Sequence, residues 1–387
     1  MRSVYSEKSQ ELLLAILRAE LTGVELLDKQ KSEFTEGILP ELFKLADRHS
    51  LAHIVADYVI GQGVVKSEKV LEKLKQNQIK AVFHNEQMKH TLDLICETFE
   101  KQGIMYIPLK GSVLKEFYPK DGMRTSCDID VLIKENDIDV SVKALQKQGF
   151  TVVKRNYHDV SLLSESKILL ELHFNVKENH ENLDLVLKDA WEYAELEAGL
   201  RYKFSDEFFV FYILSHMAHH FMGGGCGLRS LMDLWVMKHK MGLDYLKAED
   251  LLKKAGIFKF AEQVSRLSDV CFDNAPHDKY TESMLAFIVN GGVFGNVENR
   301  AKYDKAQGEG SVKFIFRRIF PSREVLQKRY TVLEKAPFLL PFFWLRRIAR
   351  NIFKGNTERY IEEAKSYSSA DYGEVNDIEN LRKFLEL

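Results

Sequence analysis

The chain has 387 residues, 45% of them apolar and 11% aromatic, enough to bury one large core or two to three smaller ones, which excludes a disordered polypeptide. Its 55 Lys and Arg face 57 Asp and Glu, so no global field would hold it on nucleic acid or an acidic membrane, and any such partner must meet a local patch. Cys96, Cys127, Cys226 and Cys271 lie far apart with no CxxC pair, which speaks against a disulfide framework or structural zinc and points to reduced thiols in the cytoplasm.

The amino terminus, Met1-Arg2-Ser3-Val4-Tyr5-Ser6-Glu7, leads into a charged amphipathic pattern without an apolar stretch of signal-peptide length, so no export is expected. From Gln10 to Gly103 apolar residues recur every three or four positions, as in Leu12, Leu13, Ile16 and Leu17, which predicts helices. The last of them is expected to start at Ser67, a good cap, and to run to Gln102, where Gly103 stops it. At residues 104–109 a short apolar run precedes Lys110-Gly111-Ser112 and a helical pattern through Val113, Leu114 and Phe117, which reads as strand, tight turn, helix. Residues 129–133 form a second strand, residues 137–148 an amphipathic helix ended by Gly149, and residues 150–153, 159–163 and 168–174 three more strands. Helical periodicity returns from Leu183, through 208–221, 228–240 and 248–267, with glycine-rich joints at Gly223-Gly224-Gly225 and Gly291-Gly292. The fold class is therefore α+β: a helical region over 1–103, a small mixed sheet with two helices over 104–180, and a helical domain over 181–387. The longest apolar run, 336–345, has ten residues and two prolines, about half of what a helix needs to cross a bilayer, so no integral membrane segment is expected.

Asp128-Ile129-Asp130-Val131 carries the chemistry. Two carboxylates two apart on a strand share one side while Ile129 and Val131 point into the core. Their repulsion is tolerable where a hard divalent cation sits between them. Seventeen residues before Asp128, Gly111-Ser112 stands where a strand passes into a helix, and free N–H groups there suit a phosphate chain. Glu171, inside the apolar strand Ile168-Leu169-Leu170-Glu171-Leu172-His173-Phe174, needs a cation to be buried there. Each signal alone is also compatible with a solvated pair or an ordinary turn; in this order they reinforce one another.

Taken together, Gly111-Ser112, Asp128-Ile129-Asp130 and Glu171 resemble the nucleotidyltransferase superfamily of DNA polymerase beta, whose pattern is glycine followed by glycine or serine, then Asp-x-Asp, then a further acidic strand residue. More narrowly, Pro108-Leu109-Lys110-Gly111-Ser112, Tyr118-Pro119, Arg124 and Asp128-Ile129-Asp130-Val131-Leu132-Ile133 are similar to a bacterial group of uncharacterised nucleotidyltransferases, the fifth NTP-transferase family. The likeness continues through Glu171-Leu172-His173-Phe174, His216, Gly227-Leu228-Arg229 with Asp233, and Phe320-Pro321-Ser322-Arg323-Glu324. The chain departs at Cys127, where glycine is common, and at Glu171, where Asp is more frequent.

The resemblance implies transfer of a nucleoside monophosphate from an NTP, with ATP the expected donor, to an acceptor hydroxyl with release of pyrophosphate. It implies two Mg²⁺ ions on Asp128, Asp130 and Glu171, with Gly111 and Ser112 cradling the phosphates. The acceptor is unidentified, a small molecule being favoured over protein or RNA. The rival reading is a noncatalytic nucleotide-binding or scaffold protein that keeps the fold.

Lys110 and Arg124 flank the motifs and either neutralise triphosphate charge or are surface cations. His173, on the face of Glu171, reads as an acceptor contact or proton carrier, or as a satisfied buried histidine. His216 and His220, one turn apart, have metal-ligand spacing, but no acid lies between them as in HExxH. Arg229 and Asp233, also one turn apart, are expected to pair, unless Arg229 reaches the nucleotide phosphates. Residues 313–354 hold eleven Lys or Arg and two acids among Phe314, Phe316, Phe320, Tyr330, Phe338, Phe342, Phe343 and Trp344. This segment suits nucleic acid, anionic lipid or a phosphorylated acceptor, but the favoured reading is a helical cap with aromatics as core and cations as a solvated face.

Overall fold

Alternation along two central strands decides which side of the molecule carries charge. The computed structural model describes residues 5–387 except 179, 294, 309–312, 314–315, 317–318, 328–329, 331 and 354–364. Its strands are β1 (Tyr106–Pro108), β2 (Asp128–Ile133), β3 (Thr151–Arg155), β4 (Asp159–Leu163), β5 (Leu169–His173), β6 (Ala194–Ala198) and β7 (Arg201–Phe204). They form one mixed sheet in the order β3-β4-β5-β2-β1-β7-β6. β2 runs parallel to β5, with Asp128 opposite Leu169, Asp130 opposite Glu171 and Leu132 opposite His173.

The side chains between these, Ile129, Val131 and Ile133 of β2 and Leu170 and Leu172 of β5, are fully buried. They pack on Met88, Leu92, Ile95 and Phe99 of the helix Glu68–Gln102 and on Val142 and Leu145 of the helix Ile138–Lys147. The long helix has the ends its sequence predicts, Ser67 as N-cap residue and Gly103 as C-cap residue in the left-handed region, φ 72°.

The sheet is wider than expected. The hairpin β6–β7 lies at 194–204, inside the stretch read as purely helical, and β7 joins β1 in parallel. Ala194-Glu195-Leu196-Glu197-Ala198 is made of helix formers, and pairing with the rest of the sheet overrides that local preference. The helix expected over 248–267 is likewise two, Glu249–Lys254 and Phe258–Phe272, divided at Gly256, whose φ is 68°.

The helices before the long one and those after the sheet share a single larger core, in which Leu13, Ile16, Leu42 and Val55 meet Phe211, Phe221, Phe260 and Phe287. His49, fully buried, joins the two sets: Leu228 N–H donates to its Nδ1 at 3.1 Å and its Nε2 donates to the Val289 carbonyl at 3.2 Å. The glycine joints cross there too, since a Cβ on Gly225 would come within 2.8 Å of the Gly291 Cα.

In the basic segment, Phe314, Arg317, Arg318, Lys328, Arg329 and Lys354 lie outside the described residues. Phe343 is buried with Leu326 and Leu333 in a small separate core, whereas Phe338 and Phe342 are exposed, so the reading of these aromatics as core holds only in part. Among the described residues no helix is long and apolar enough to cross a membrane.

His49 accepts a backbone N–H and is therefore neutral in the fold, and burial pushes its pKa down from 6.5 to about 4. The unfolded chain takes a proton from about pH 6.5 downward and the folded chain does not until about 4, so this contribution to stability is lost as pH falls through that window. Urea unfolding between pH 7 and 4 should show a falling free energy, and a shallower fall in His49→Gln.

Candidate functional site

β2 and β5 bring three expected residues together on the face opposite the core. His173 donates from Nε2 to Asp130 Oδ1 at 2.8 Å and lies 3.7 Å from Glu171 Oε2. Lys110 Nζ stands 3.8 Å from Asp130 Oδ2 and 5.7 Å from the centre of the Tyr212 ring. One ligand atom from each of Asp130, Glu171 and His173 falls within 4.8 Å of the others. Asp128 sits beside them, and Asp128, Asp130 and Glu171 line one cavity of about 280 Å³.

Burial disfavours the Asp130 carboxylate, but Lys110 and His173 outweigh it and hold the group well below the usual carboxylate range. Asp128 and Glu171 go the other way, raised by burial and then by the Asp130 charge. One carboxylate is thus balanced while two remain short of a counter-charge. The carboxylate oxygens, with unmet negative charge, fit a hard divalent cation, and among the described residues His173 is grouped with Asp130 and Glu171 as a further possible ligand.

Lys110 turns the chain from β1 toward the acids with φ 40°, a conformation that is rare for a residue with a side chain. Leu109 N–H, at the start of the turn, is held by the Asp130 carbonyl at 3.0 Å. A Cβ on Gly111 would overlap the Arg124 guanidinium and the Ser126 hydroxyl, so glycine is needed there for close approach. Ser112 is buried and does not line the acid cavity; with Gly111, Ser126 and Asp128 it lines a smaller cleft beside it.

Two helices roof the cavity. From Asp206–Met222, a helix with Ser205 as its cap, Ile213, His216, Met217 and His220 face it at spacings of one turn. His216 donates from Nδ1 to Glu178 Oε1 at 2.7 Å, and the Nε2 atoms of His216 and His220 are 3.0 Å apart. Burial opposes the Glu178 charge, yet His216 and Lys110 lower its pKa to about 2, while burial and the neighbouring His216 lower His220 to about 3. Nδ1 of His216 therefore carries the proton, and His220 donates to Nε2 of His216. Glu178 went unnoticed in the sequence because it stands in a loop without periodicity.

The helix Gly227–Val236 forms the second roof element. The expected Arg229–Asp233 pair does not form. Asp233 instead receives Arg124 through Nε at 2.7 Å and Nη2 at 2.9 Å, and the Tyr118 hydroxyl at 2.6 Å. Arg229 donates to the Thr125 carbonyl at 2.7 Å. Arg124 is buried and reaches Asp233 with two nitrogens of its fork, so it outcompetes Arg229, the neighbour of Asp233 on the same helix. Arg124 and Arg229 both still line the cavity.

The sequence profile of a family described as an uncharacterised nucleotidyltransferase matches residues 39–273, a span that contains β1–β7 and both roofing helices. No curated protein and no solved structure matches the chain.

Asp233→Asn would leave the Arg124 guanidinium buried without a carboxylate. Urea denaturation is expected to show a loss of about 3–5 kcal/mol; a change below about 1 kcal/mol would mean that the pair contributes little beyond its own desolvation.

Proposed function

The chain belongs to the uncharacterised nucleotidyltransferase family, and from that membership we propose that it moves a nucleoside monophosphate from an NTP, ATP in this reading, to the hydroxyl of a small acceptor in the cytoplasm. The observation that carries the proposal is the parallel register that puts Asp130 opposite Glu171, with Asp128 on the same face of the same strand. Those three carboxylates would hold Mg²⁺, two ions in this scheme. When bound, the ions supply positive charge to the triphosphate and polarise the acceptor oxygen.

The chain's own groups do the remaining work by position and charge. The Gly111 N–H would meet the phosphates beside Ser112, since those of Ser112 and Val113 are bonded to the Leu109 and Lys110 carbonyls, and Lys110 and Arg229 add positive charge around the triphosphate. Arg124, engaged by Asp233, holds the roof over the site and touches nucleotide only through what remains of its fork. The acceptor hydroxyl loses its proton, its oxygen bonds to the α-phosphorus, and the bond from the α-phosphorus to the bridging oxygen breaks to release pyrophosphate. Glu171 favours departure of that proton, and His173 orients Asp130.

The rival, a protein that binds nucleotide or partners without transfer, draws on one feature: Lys110 and His173 already balance Asp130. Calorimetric titration of each of the four NTPs with Mg²⁺ separates the two. The transferase reading expects one NTP to bind tightly, with a loss of at least about a hundredfold in Asp128→Ala/Asp130→Ala or on chelation of the metal. In Glu171→Gln, NTP binding should survive while release of pyrophosphate stops. A well-folded wild type that binds no NTP would favour the scaffold.

A further inference from the structure

The basic aromatic segment has no part in the proposed reaction, and its exposed face carries a separate inference. Among the described residues, seven of twenty-one exposed large apolar side chains fall within 316–345, so their exposure is concentrated there and not scattered singly as on an ordinary surface. Three of them form a ridge. Phe338 is 78% exposed, Phe342 58% and Leu345 67%, and their spacing of four and then three residues sets them on one face of the turn Pro337–Leu339 and the helix Leu340–Phe353.

The opposite face is already satisfied. Phe343 is buried with Leu326 and Leu333 and stacks on Tyr330 with ring centres 4.2 Å apart, and Trp344 Nε1 donates to the Pro321 carbonyl at 2.8 Å. Folding of this small core therefore does not account for the ridge. Along the helix itself the charge has one sign. Between Lys335 and Lys354 the sequence has Arg346, Arg347 and Arg350 and no acidic residue. Arg346, the next residue after Leu345, is exposed, with its guanidinium 5.6 Å from the centre of the Tyr330 ring.

We propose that this face docks on an anionic lipid surface. Phe338, Phe342 and Leu345 enter the boundary between headgroups and acyl chains, and Arg346 and Arg350 meet lipid phosphates. The helix has 14 residues, too few to cross a bilayer, so it lies in the interface plane. Lipid is favoured over RNA because the ridge ends in side chains without hydrogen-bonding groups, among them an aliphatic one on which no base can stack.

The test is flotation of the full chain with vesicles of phosphatidylcholine alone or mixed with phosphatidylglycerol. The chain should float with the mixed vesicles and not with the neutral ones, and raised salt should weaken the association. In Phe338→Ser/Phe342→Ser/Leu345→Ser the bound fraction should fall roughly tenfold or more with Tm unchanged, because these side chains are exposed. Arg346→Gln/Arg350→Gln, which leaves the ridge intact, should weaken binding and flatten its salt dependence. No flotation with mixed vesicles, or equal flotation of wild type and both variants, would overturn the proposal. So would retention of a single-stranded RNA probe through these same residues by a chain that ignores vesicles. None of these readouts depends on nucleotidyl transfer, so failure here leaves the enzymatic reading standing.

Discussion

Asp130 and Glu171 face each other across the parallel pair β2 and β5, and the apolar residues between them leave no freedom in that register. A slip of one residue would turn Ile129, Val131 and Leu172 out of the core and the acids into it. The hydrophobic face thus holds like charges together at a distance they would not choose. Much around the site answers that constraint: the strained Lys110 turn delivers an ammonium to Asp130, and His173 donates a hydrogen bond to it from Nε2. Burial and the Asp130 charge push Asp128 and Glu171 the other way, an arrangement that could take up a cation.

The roof is held by a second set of buried charges, linked to the first through Lys110. Arg124, Tyr118 and Asp233 form a buried hydrogen-bonded group that ties the segment after the Gly111 turn to the helix Gly227–Val236. Glu178 does the same for the helix Asp206–Met222 through His216. Both roofing helices belong to the larger core, and His49 fastens that core to the amino-terminal helices with a neutral ring. The cavity is therefore closed by elements seated in the larger core and fixed by Arg124, Asp233 and His216, which line it together with the acids. Asp233 and Glu178 hold the roof without belonging to the group Asp128, Asp130 and Glu171.

Much of this architecture could be read from the chain. The helix from Ser67 to Gly103 was bounded by its cap and its glycine, and the five strands β1–β5 by runs of the right length between turn residues. The hairpin β6–β7 was not legible, because Ala194–Ala198 favours helix and only pairing with β7, itself beside β1, makes it strand. In the basic segment a helical cap with its aromatics as core was expected, but which of them are buried depended on the small core around Phe343.

The sequence by itself determined that Asp128 shares a side with Asp130 and Glu171 with His173, and placed the glycine before them, because periodicity within one element is a local property. The tertiary structure alone decided which groups answer them. Arg124 meets Asp233 across 109 residues of chain, and His216 meets Glu178 across 38. No local pattern encodes such pairs: they form where long-range packing brings buried charges within reach and leaves each no better partner.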